Sequence, residues 1–97
     1  MPRTRLSAIA IEKLQPPDTG RIELYDADVP GLTLRVSASG VKSWSLTYRF
    51  RGGLRRLTLG QWPGLSLKEA RERARAARGT IQRGVDPVEQ RKSEERD

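Results

Sequence analysis

Alternation of apolar and polar residues across residues 32–59 constrains this fold more than any other feature. GLTLRVS and SWSLTYRF each place an apolar side chain at every second position, which is typical of strands with one buried face. The pair Gly52-Gly53 then suits a two-residue type I′ turn, because that turn needs positive φ at both central positions. The sequence therefore predicts a hairpin that turns at Gly52-Gly53 and places Arg49 opposite Arg56.

Two helices flank the predicted strands. Ser7 is the expected N-cap of a short N-terminal helix, and the apolar residues Leu6, Ile9 and Leu14 are expected to face the core. A longer helix begins in SLKEARERARAARGTIQRG, where a serine and a glutamate three residues later form a capping box. Its small alanines recur at helical spacing, so this helix is expected to lie close to the sheet.

The order of elements predicts an α+β fold with a short N-terminal helix, a small antiparallel sheet of three to four strands, and one long C-terminal helix packed on one sheet face. We assign residues 1–84 to this domain. Residues 85–97, VDPVEQRKSEERD, are nearly all polar and are expected to be the frayed start of a linker. The leading MPRTR is expected to be disordered, with a basic arm that enters a minor groove as the alternative.

Composition removes most catalytic and metal chemistry. The 97 residues fit one domain with a modest core. The chain has no cysteine and no histidine, so it lacks thiolate and imidazole ligands and the commonest general base. No apolar run is long enough for a membrane span, and the N-terminus has no secretory h-region. We expect a cytoplasmic domain that is not an enzyme and uses no cofactor, metal or membrane.

Positive charge is concentrated in the middle third of the chain. Residues 31–60 hold six cationic side chains and no carboxylate, in a chain whose net charge is +7. A clustered field of one sign indicates an anionic partner more strongly than net charge does. Nothing within this segment neutralises its arginines, which predicts that a bound polyanion does so.

The alternation places most of these cations, with several hydroxyl groups, on the sheet face that the long helix leaves open. Arginines neutralise phosphates, hydroxyls donate to phosphates or base edges, and a narrow β-face fits the major groove. We therefore predict a double-stranded DNA interface. Its candidate residues are Thr33, Arg35, Ser45, Thr47, Arg49, Arg56 and Thr58 on the open face, with Lys42, Arg51 and Arg55 around its ends.

Other functions remain open at this point. An RNA-binding domain would use the same cations, although the face lacks the stacked aromatic side chains of single-strand binders because Trp44 and Tyr48 fall on the core side. A protein-interaction module would use the sheet edge or the alanine-rich helix. The simplest interpretation is that cations on a solvent-facing strand protect the sheet from aggregation.

Several motifs together resemble one family. They are GLTLRV, SGVKSW, YRFRGG, RRLTLG and SLKEAR, preceded by LSAIAIEKLQPPDTGRIELYDADVPGL and followed by RGVDPVEQRK. This combined pattern resembles the N-terminal arm-type DNA-binding domain of phage and genomic-island tyrosine integrases, over roughly residues 6–92.

The resemblance implies a function and a set of site residues. Such domains bind arm-type DNA sites with the sheet in the major groove, while a separate C-terminal tyrosine-recombinase domain catalyses DNA integration and recombination. The motif residues of the family fall here on Arg35, Lys42, Arg49, Arg55 and Arg56. The implied partners are double-stranded DNA and other integrase subunits, and the implied role is tethering rather than catalysis.

Overall fold

The structure describes residues 3–95 of this chain, in a computed structural model that contains one five-stranded sheet and three helices. In chain order the elements are β1 (Arg3–Thr4), α1 (Ala8–Lys13), β2 (Arg21–Asp26), β3 (Leu32–Ser37), β4 (Lys42–Phe50), β5 (Gly53–Trp62), α2 (Leu67–Gln82) and α3 (Pro87–Glu95). The predicted α+β class is confirmed. None of the helices in this span is long and apolar enough to cross a lipid bilayer.

The strands lie in the order β1-β2-β3-β4-β5, and β2 to β5 form an antiparallel meander. The sequence does not predict β1, because two residues show no alternation. This strand pairs in parallel with β2, with Arg3 beside Tyr25 and Thr4 beside Asp26. The disorder expected for MPRTR is therefore wrong for Arg3 and Thr4, and residues 1–2 lie outside the described residues.

The turn between β4 and β5 differs from the predicted one. Its two central residues are Arg51 and Gly52, with φ of 52° and 81°, rather than Gly52 and Gly53. Phe50 consequently pairs with Gly53, which becomes the first residue of β5. Both turn residues have positive φ, as a type I′ turn requires, but an arginine fills the position where asparagine or glycine is preferred.

The turn moves the cross-strand pairs next to it by two positions. Arg49 lies opposite Leu54 and Thr47 lies opposite Arg56, so the predicted Arg49–Arg56 pair is wrong. Because strand side chains alternate with a period of two, a shift of two leaves each residue on its predicted face. A bulge next to Trp44 changes the register again further along the hairpin. The hydrophobic pattern therefore selects the face, whereas the turn selects the register.

One hydrophobic core fills the space between the sheet and α2. The predicted capping box of Ser66 and Glu69 begins α2, and the alanines of this helix bring its backbone close to the sheet. Trp44 is fully buried at the centre of the core, and its indole N–H donates to Leu65 O at 2.9 Å. The alternating residues Leu32, Leu34, Val36, Leu46, Tyr48, Leu57 and Leu59 are buried around it, as the sequence predicts.

The short helix α1 closes one end of the core. Ser7 is its N-cap, as predicted, and the Ser7 hydroxyl accepts a hydrogen bond from Ala10 N. Leu6 and Ile11 are buried, but Ile9 is 65% exposed, so the predicted inward orientation of Ile9 is wrong. A helix of fewer than two turns presents only a narrow stripe to the sheet, and Ile9 lies outside that stripe.

The segment after α2 forms the docked helix α3, so the fraying predicted for it is wrong. Asp86 is buried, accepts a hydrogen bond from Tyr48 Oη, and caps α3 by accepting from Val88 N at 3.0 Å. Arg91 donates to Thr58 O of β5 at 2.8 Å. These anchors are polar, and for this reason hydrophobic periodicity does not predict that α3 docks.

A buried ion pair joins α2 to β2. Asp26 is 1% exposed, and Arg71 contacts both of its carboxylate oxygens, with Nε 2.9 Å from Oδ2 and Nη2 3.0 Å from Oδ1. The same Nη2 donates to Leu6 O at 3.1 Å, and Val29 N donates to Asp26 Oδ2 at 3.3 Å. One guanidinium group thus holds together the long helix, the strand β2 and the segment before α1.

We expect Arg71→Met to lower the free energy of unfolding by about 3 kcal/mol, because it leaves the buried Asp26 carboxylate without its partner. The matched control is Arg75→Met, since Arg75 is exposed on the same helix. The control should change stability by less than about 0.5 kcal/mol. Urea unfolding at neutral pH measures both variants, and equal losses would contradict the anchoring role of Arg71.

The same ion pair predicts a dependence of stability on pH. Burial raises the pKa of Asp26, but the hydrogen bonds and charge of Arg71 outweigh burial and hold this pKa below its ordinary value. A lowered folded-state pKa contributes stability above the unfolded-state pKa of about 3.9, and this stability is lost as the pH falls through the folded-state pKa. The difference in unfolding free energy between the wild type and Arg71→Met should therefore narrow as the pH falls below about 4. A constant difference between neutral pH and about pH 3 would contradict this assignment.

Candidate nucleic-acid interface

The sheet has one face covered by α2 and an opposite face that carries the alternate strand residues. We name the second surface the open face. Cross-strand pairing places on it Arg21, Glu23, Tyr25, Thr33, Arg35, Ser37, Ser43, Ser45, Thr47, Arg49, Leu54, Arg56 and Thr58. The open face therefore combines arginines with a row of hydroxyl side chains, which is the composition that the sequence predicts for it.

The ten predicted interface residues do not all lie on this surface. Seven are on the open face, namely Thr33, Arg35, Ser45, Thr47, Arg49, Arg56 and Thr58. Arg51 is exposed at the turn between β4 and β5. Lys42 pairs with Trp62 and Arg55 pairs with Tyr48, so both cations lie on the helix-covered face.

Arg55 and Lys42 fasten helices to the sheet. Arg55 Nη1 lies 2.9 Å from Asp86 Oδ2 and 3.7 Å from Glu89 Oε1, which joins β5 to α3. Lys42 Nζ donates to Ile11 O at 2.8 Å, at the end of α1. The positions predicted for these two residues, around the ends of the open face, are therefore wrong.

A carboxylate that the sequence analysis missed lies on the open face. Glu23 accepts hydrogen bonds from Arg21 Nε at 3.2 Å and from Arg35 Nη2 at 3.1 Å, both through Oε1, and from Tyr25 Oη at 3.0 Å through Oε2. Arg56 Nη2 is 3.8 Å from the same Oε1. Among the described strand residues of this face, Glu23 is the single carboxylate, and it contacts cations from three strands.

The Glu23 contacts correct the expectation that a bound polyanion, and no group of the chain itself, neutralises the cations of residues 31–60. The neutralising groups lie outside that segment, because Glu23 is on β2 and Asp86 follows α2. The signal that could have found Glu23 is its position directly opposite Arg35 in adjacent antiparallel strands. Burial raises the pKa of Glu23, but the hydrogen bonds from Tyr25 and Arg35 outweigh burial and lower it, so the carboxylate is ionised at neutral pH.

Two hydroxyl residues in the middle of the open face are covered. Thr33 is 1% exposed and Ser45 is 7% exposed, although neither lies in the apolar core. Arg56 is on β5 and Glu23 is on β2, so their ion pair spans β3 and β4, the strands that carry these hydroxyls. Ser45 Oγ has no hydrogen-bond partner among the described residues. The middle of the open face is therefore less accessible than its polar composition predicts.

The hairpin end of the open face is more accessible. Arg49 is exposed, and Leu54 directly opposite it is 68% exposed. On the helix-covered side of the same hairpin, the guanidinium groups of Arg51 and Arg55 lie 5.2 Å and 5.8 Å from the centre of the Phe50 ring, within range of cation–π attraction. Leu54 is a surface residue that the sequence analysis did not select, and its signal was an apolar residue at a polar position of the alternation.

These features define the class of protein as a small α+β domain with a cationic, hydroxyl-bearing sheet surface of the kind that binds nucleic acid. Within the described part of the chain, no group of three His, Cys, Asp or Glu side chains is placed to hold a metal ion. The chain belongs to the arm DNA-binding domain family, whose pattern matches residues 6–94. The resemblance noted from the motifs is thereby confirmed.

Integrases of prophages and phages are similar to this chain. The prophage integrase IntZ of Escherichia coli K12 is 39% identical over 94 residues, which cover 97% of this chain and 23% of that protein. The integrase of Shigella phage Sf6 is 44% identical over 66 residues, covering 68% and 17%. The integrase of Enterobacteria phage P4 is 36% identical over 89 residues, covering 89% and 19%. The chain thus spans about a fifth of the length of these relatives.

The assignment of faces predicts that two arginines of the same hairpin differ in how much they contribute to stability. Arg55→Gln should lower the free energy of unfolding by about 1–2 kcal/mol, because buried Asp86 loses an ion pair that is itself partly solvent-screened. Arg49→Gln, on the open face, should change it by less than about 0.5 kcal/mol. Urea unfolding of both variants at equal salt measures the difference. A larger loss for Arg49→Gln would contradict the assignment of faces.

Proposed function

We propose that this domain binds double-stranded DNA sequence-specifically through its open face and so tethers a tyrosine recombinase to arm-type sites. The observation that carries the proposal is the surface itself, on which arginine and hydroxyl side chains share one sheet face in a member of the arm DNA-binding domain family. Arginines neutralise phosphates and fix the register on the duplex, while hydroxyls reach phosphates or base edges.

The hairpin end is suited to enter the major groove. Arg49 and Arg51 are exposed and can reach phosphates or the O6 and N7 acceptors of guanine. Leu54 lies opposite Arg49, and an exposed apolar side chain beside cations suits contact with a thymine methyl group. Both kinds of base contact are available only in the major groove, which is wide enough for a two-stranded β-ribbon.

The proposed contact set follows from the placement of the predicted residues. It keeps the eight that lie on the open face or at its turn, which are Thr33, Arg35, Ser45, Thr47, Arg49, Arg51, Arg56 and Thr58. Lys42 and Arg55 are left out, because their cationic groups contact α1 and α3 on the other side of the sheet.

A DNA duplex fits this surface better than RNA. The major groove of A-form RNA is deep and narrow, so a sheet face does not reach its base edges. Single-stranded RNA is commonly bound by stacking on aromatic side chains, but Trp44 and Tyr48 are buried in the core. The aromatic residue Tyr25 lies on the open face, where its hydroxyl group is held by Glu23.

The alternative of a protein-interaction module is less well supported along β5. This strand is at the edge of the sheet, and an unpaired edge can accept a strand from another chain. Arg73 donates to Leu59 O at 3.1 Å and Arg91 donates to Thr58 O at 2.8 Å, so arginines occupy backbone acceptors of the β5 edge. Contacts with other integrase subunits therefore belong to the proposal only in the setting of the full-length protein.

Within a longer recombinase, we propose that residues 1–84 form the DNA-binding unit and that residues 85–97 begin the connection to the catalytic part. The chain spans about a fifth of its integrase relatives, which supports the proposal that other segments carry out the recombination chemistry. We further propose a cytoplasmic location, where such a recombinase would meet its DNA. The docked Asp86 gives α3 a defined start on the domain, so the connection would leave in a set direction.

Selection of bound duplexes from a randomised DNA pool, at about physiological salt, tests the proposal directly. A short common motif among the retained duplexes is the expected result. Retention without enrichment would reduce the function to phosphate binding. No retained DNA, together with concentration-dependent self-association, would favour the protein-interaction module, and a preference for A-form duplex would favour RNA.

We expect Arg49→Gln to weaken binding to a selected duplex. The slope of log K against log salt should be roughly −3 to −4 for the wild type, which has four phosphate-neutralising arginines, and should become less negative by about 1 in the variant. Arg75→Gln is the matched control, because Arg75 is exposed on α2, away from the open face. Fluorescence anisotropy at several salt concentrations measures both variants. Equal effects of the two substitutions would show that only net charge matters and would contradict the open-face interface.

A further inference from the structure

We propose that Glu23 is a specificity-determining residue of the open face. It holds Arg35 and Arg56 away from the phosphates of unrelated duplexes, and it releases them where the amino group of a cytosine donates to the carboxylate instead. This inference rests on the proposed DNA-binding function. Glu23 is the single carboxylate among the described strand residues of the open face, and an anion there opposes the approach of any phosphate.

In the free protein Glu23 contacts three arginines. Its carboxylate lies 3.1 Å from Arg35 Nη2, 3.2 Å from Arg21 Nε and 3.8 Å from Arg56 Nη2. The hydroxyl group of Tyr25 donates to the other carboxylate oxygen at 3.0 Å. Arg35 and Arg56 are both residues of the proposed contact set. In the free protein they are therefore engaged with Glu23, so binding to a phosphate requires an exchange of partners.

When Arg35 and Arg56 bind phosphates, the Glu23 carboxylate loses their charges. The Glu23 side chain is only 17% exposed, so a carboxylate that has given up Arg35 and Arg56 keeps Arg21 and Tyr25 as partners but is poorly solvated. An ionised group that loses part of its neutralising charge in such a position is destabilised. An unrelated duplex offers phosphates to the arginines but nothing to the carboxylate. Discrimination of this kind works by penalising the wrong partner rather than by improving the right one.

A cytosine base can supply the hydrogen-bond donor that the Glu23 carboxylate then needs. In the major groove the N4 amino group of cytosine is a hydrogen-bond donor, and glutamate is a suitable acceptor for it. A site that presents cytosine at this point lets Glu23 exchange arginine donors for a base donor. The arginines are then released to phosphates without leaving an unpaired carboxylate.

An independent observation supports movement of the arginine layer. Ser45 Oγ is buried without a hydrogen-bond partner among the described residues, and the Arg56–Glu23 pair spans the strand that carries it. A buried hydroxyl group without a protein partner is unusual. If Arg56 exchanges Glu23 for a phosphate, the Ser45 hydroxyl group is placed to donate to the same duplex. The inference therefore expects a different arrangement of the Arg56 side chain in the complex.

The test compares Glu23→Gln with Glu72→Gln, which makes the same change of charge at an exposed position on α2. Anisotropy titrations with a selected duplex and with an unrelated duplex of equal length give the specificity ratio for each protein. For Glu23→Gln we expect affinity for the unrelated duplex to rise by on the order of tenfold and affinity for the selected duplex to rise less, so that the ratio falls. Glu72→Gln should leave the ratio unchanged.

The base contact has its own readout. Selection from a randomised pool with Glu23→Gln should lose the preference for cytosine at one position while keeping the rest of the motif. An identical motif for both proteins would overturn the contact with cytosine. If Glu23→Gln and Glu72→Gln have the same effect on the specificity ratio, Glu23 does not determine specificity, and its ion pairs only stabilise the sheet.

A measurement on the unaltered protein covers the case in which Glu23→Gln does not fold. The Nε–H resonances of Arg35 and Arg56 should shift when duplex is added, because both side chains change partners. Resonances that stay unchanged in a protein that binds DNA would overturn the inference and remove Arg35 and Arg56 from the proposed contact set, while duplex binding itself would stand. If the wild type binds no duplex, the proposed function itself fails, and this inference fails with it.

Discussion

The contact between Arg71 and Asp26 fixes α2 against the side of the sheet that the hydrophobic pattern selects, and the opposite side stays open. Its two hydrogen bonds, 2.9 and 3.0 Å long, join α2 to β2 at a carboxylate that is 1% exposed. Once the alanine-rich face of α2 is fixed there, the apolar half of every strand is covered and the polar half remains open. The thin core has few large side chains, so a directional bond between charged groups supplies the orientation that packing alone specifies weakly.

Much of this arrangement can be predicted from the sequence, because the period-two pattern states which residues share a face. The pattern does not state which residues are neighbours, since a shift of two positions leaves every face unchanged. FRGG offers two adjacent pairs for the turn, and the structure uses Arg51-Gly52 rather than Gly52-Gly53. For this reason the predicted membership of the open face holds for Arg49 and Arg56, while their predicted pairing does not.

Charge is harder to predict than burial, because neutralisation occurs across the fold and not along the chain. Residues 31–60 lack a carboxylate. Their arginines nevertheless form ion pairs with Glu23, which precedes the segment, and with Asp86, which follows it. Arg55 is the clearest example. Its neighbours in the sequence group it with the predicted DNA-contacting cations, but its position on β5 directs it toward Asp86. The sequence alone does not show that Asp86 caps α3 and lies beside this strand.

The arginines therefore divide into two groups by the kind of acceptor that they contact. Arg71 contacts a buried carboxylate, and Arg73 and Arg91 contact backbone oxygens of β5, so each of the three joins a helix to the sheet. Arg35 and Arg56 contact Glu23, a carboxylate at the surface, whose place a phosphate oxygen can take while the sheet stays intact. The same guanidinium chemistry thus serves stability where the acceptor belongs to another element of the fold and, in the proposed interface, recognition where a phosphate can replace the acceptor. Arg49 and Arg51 are exposed in addition to the second group, so the chain, whose net charge is +7, presents a cationic surface while other arginines hold its elements together.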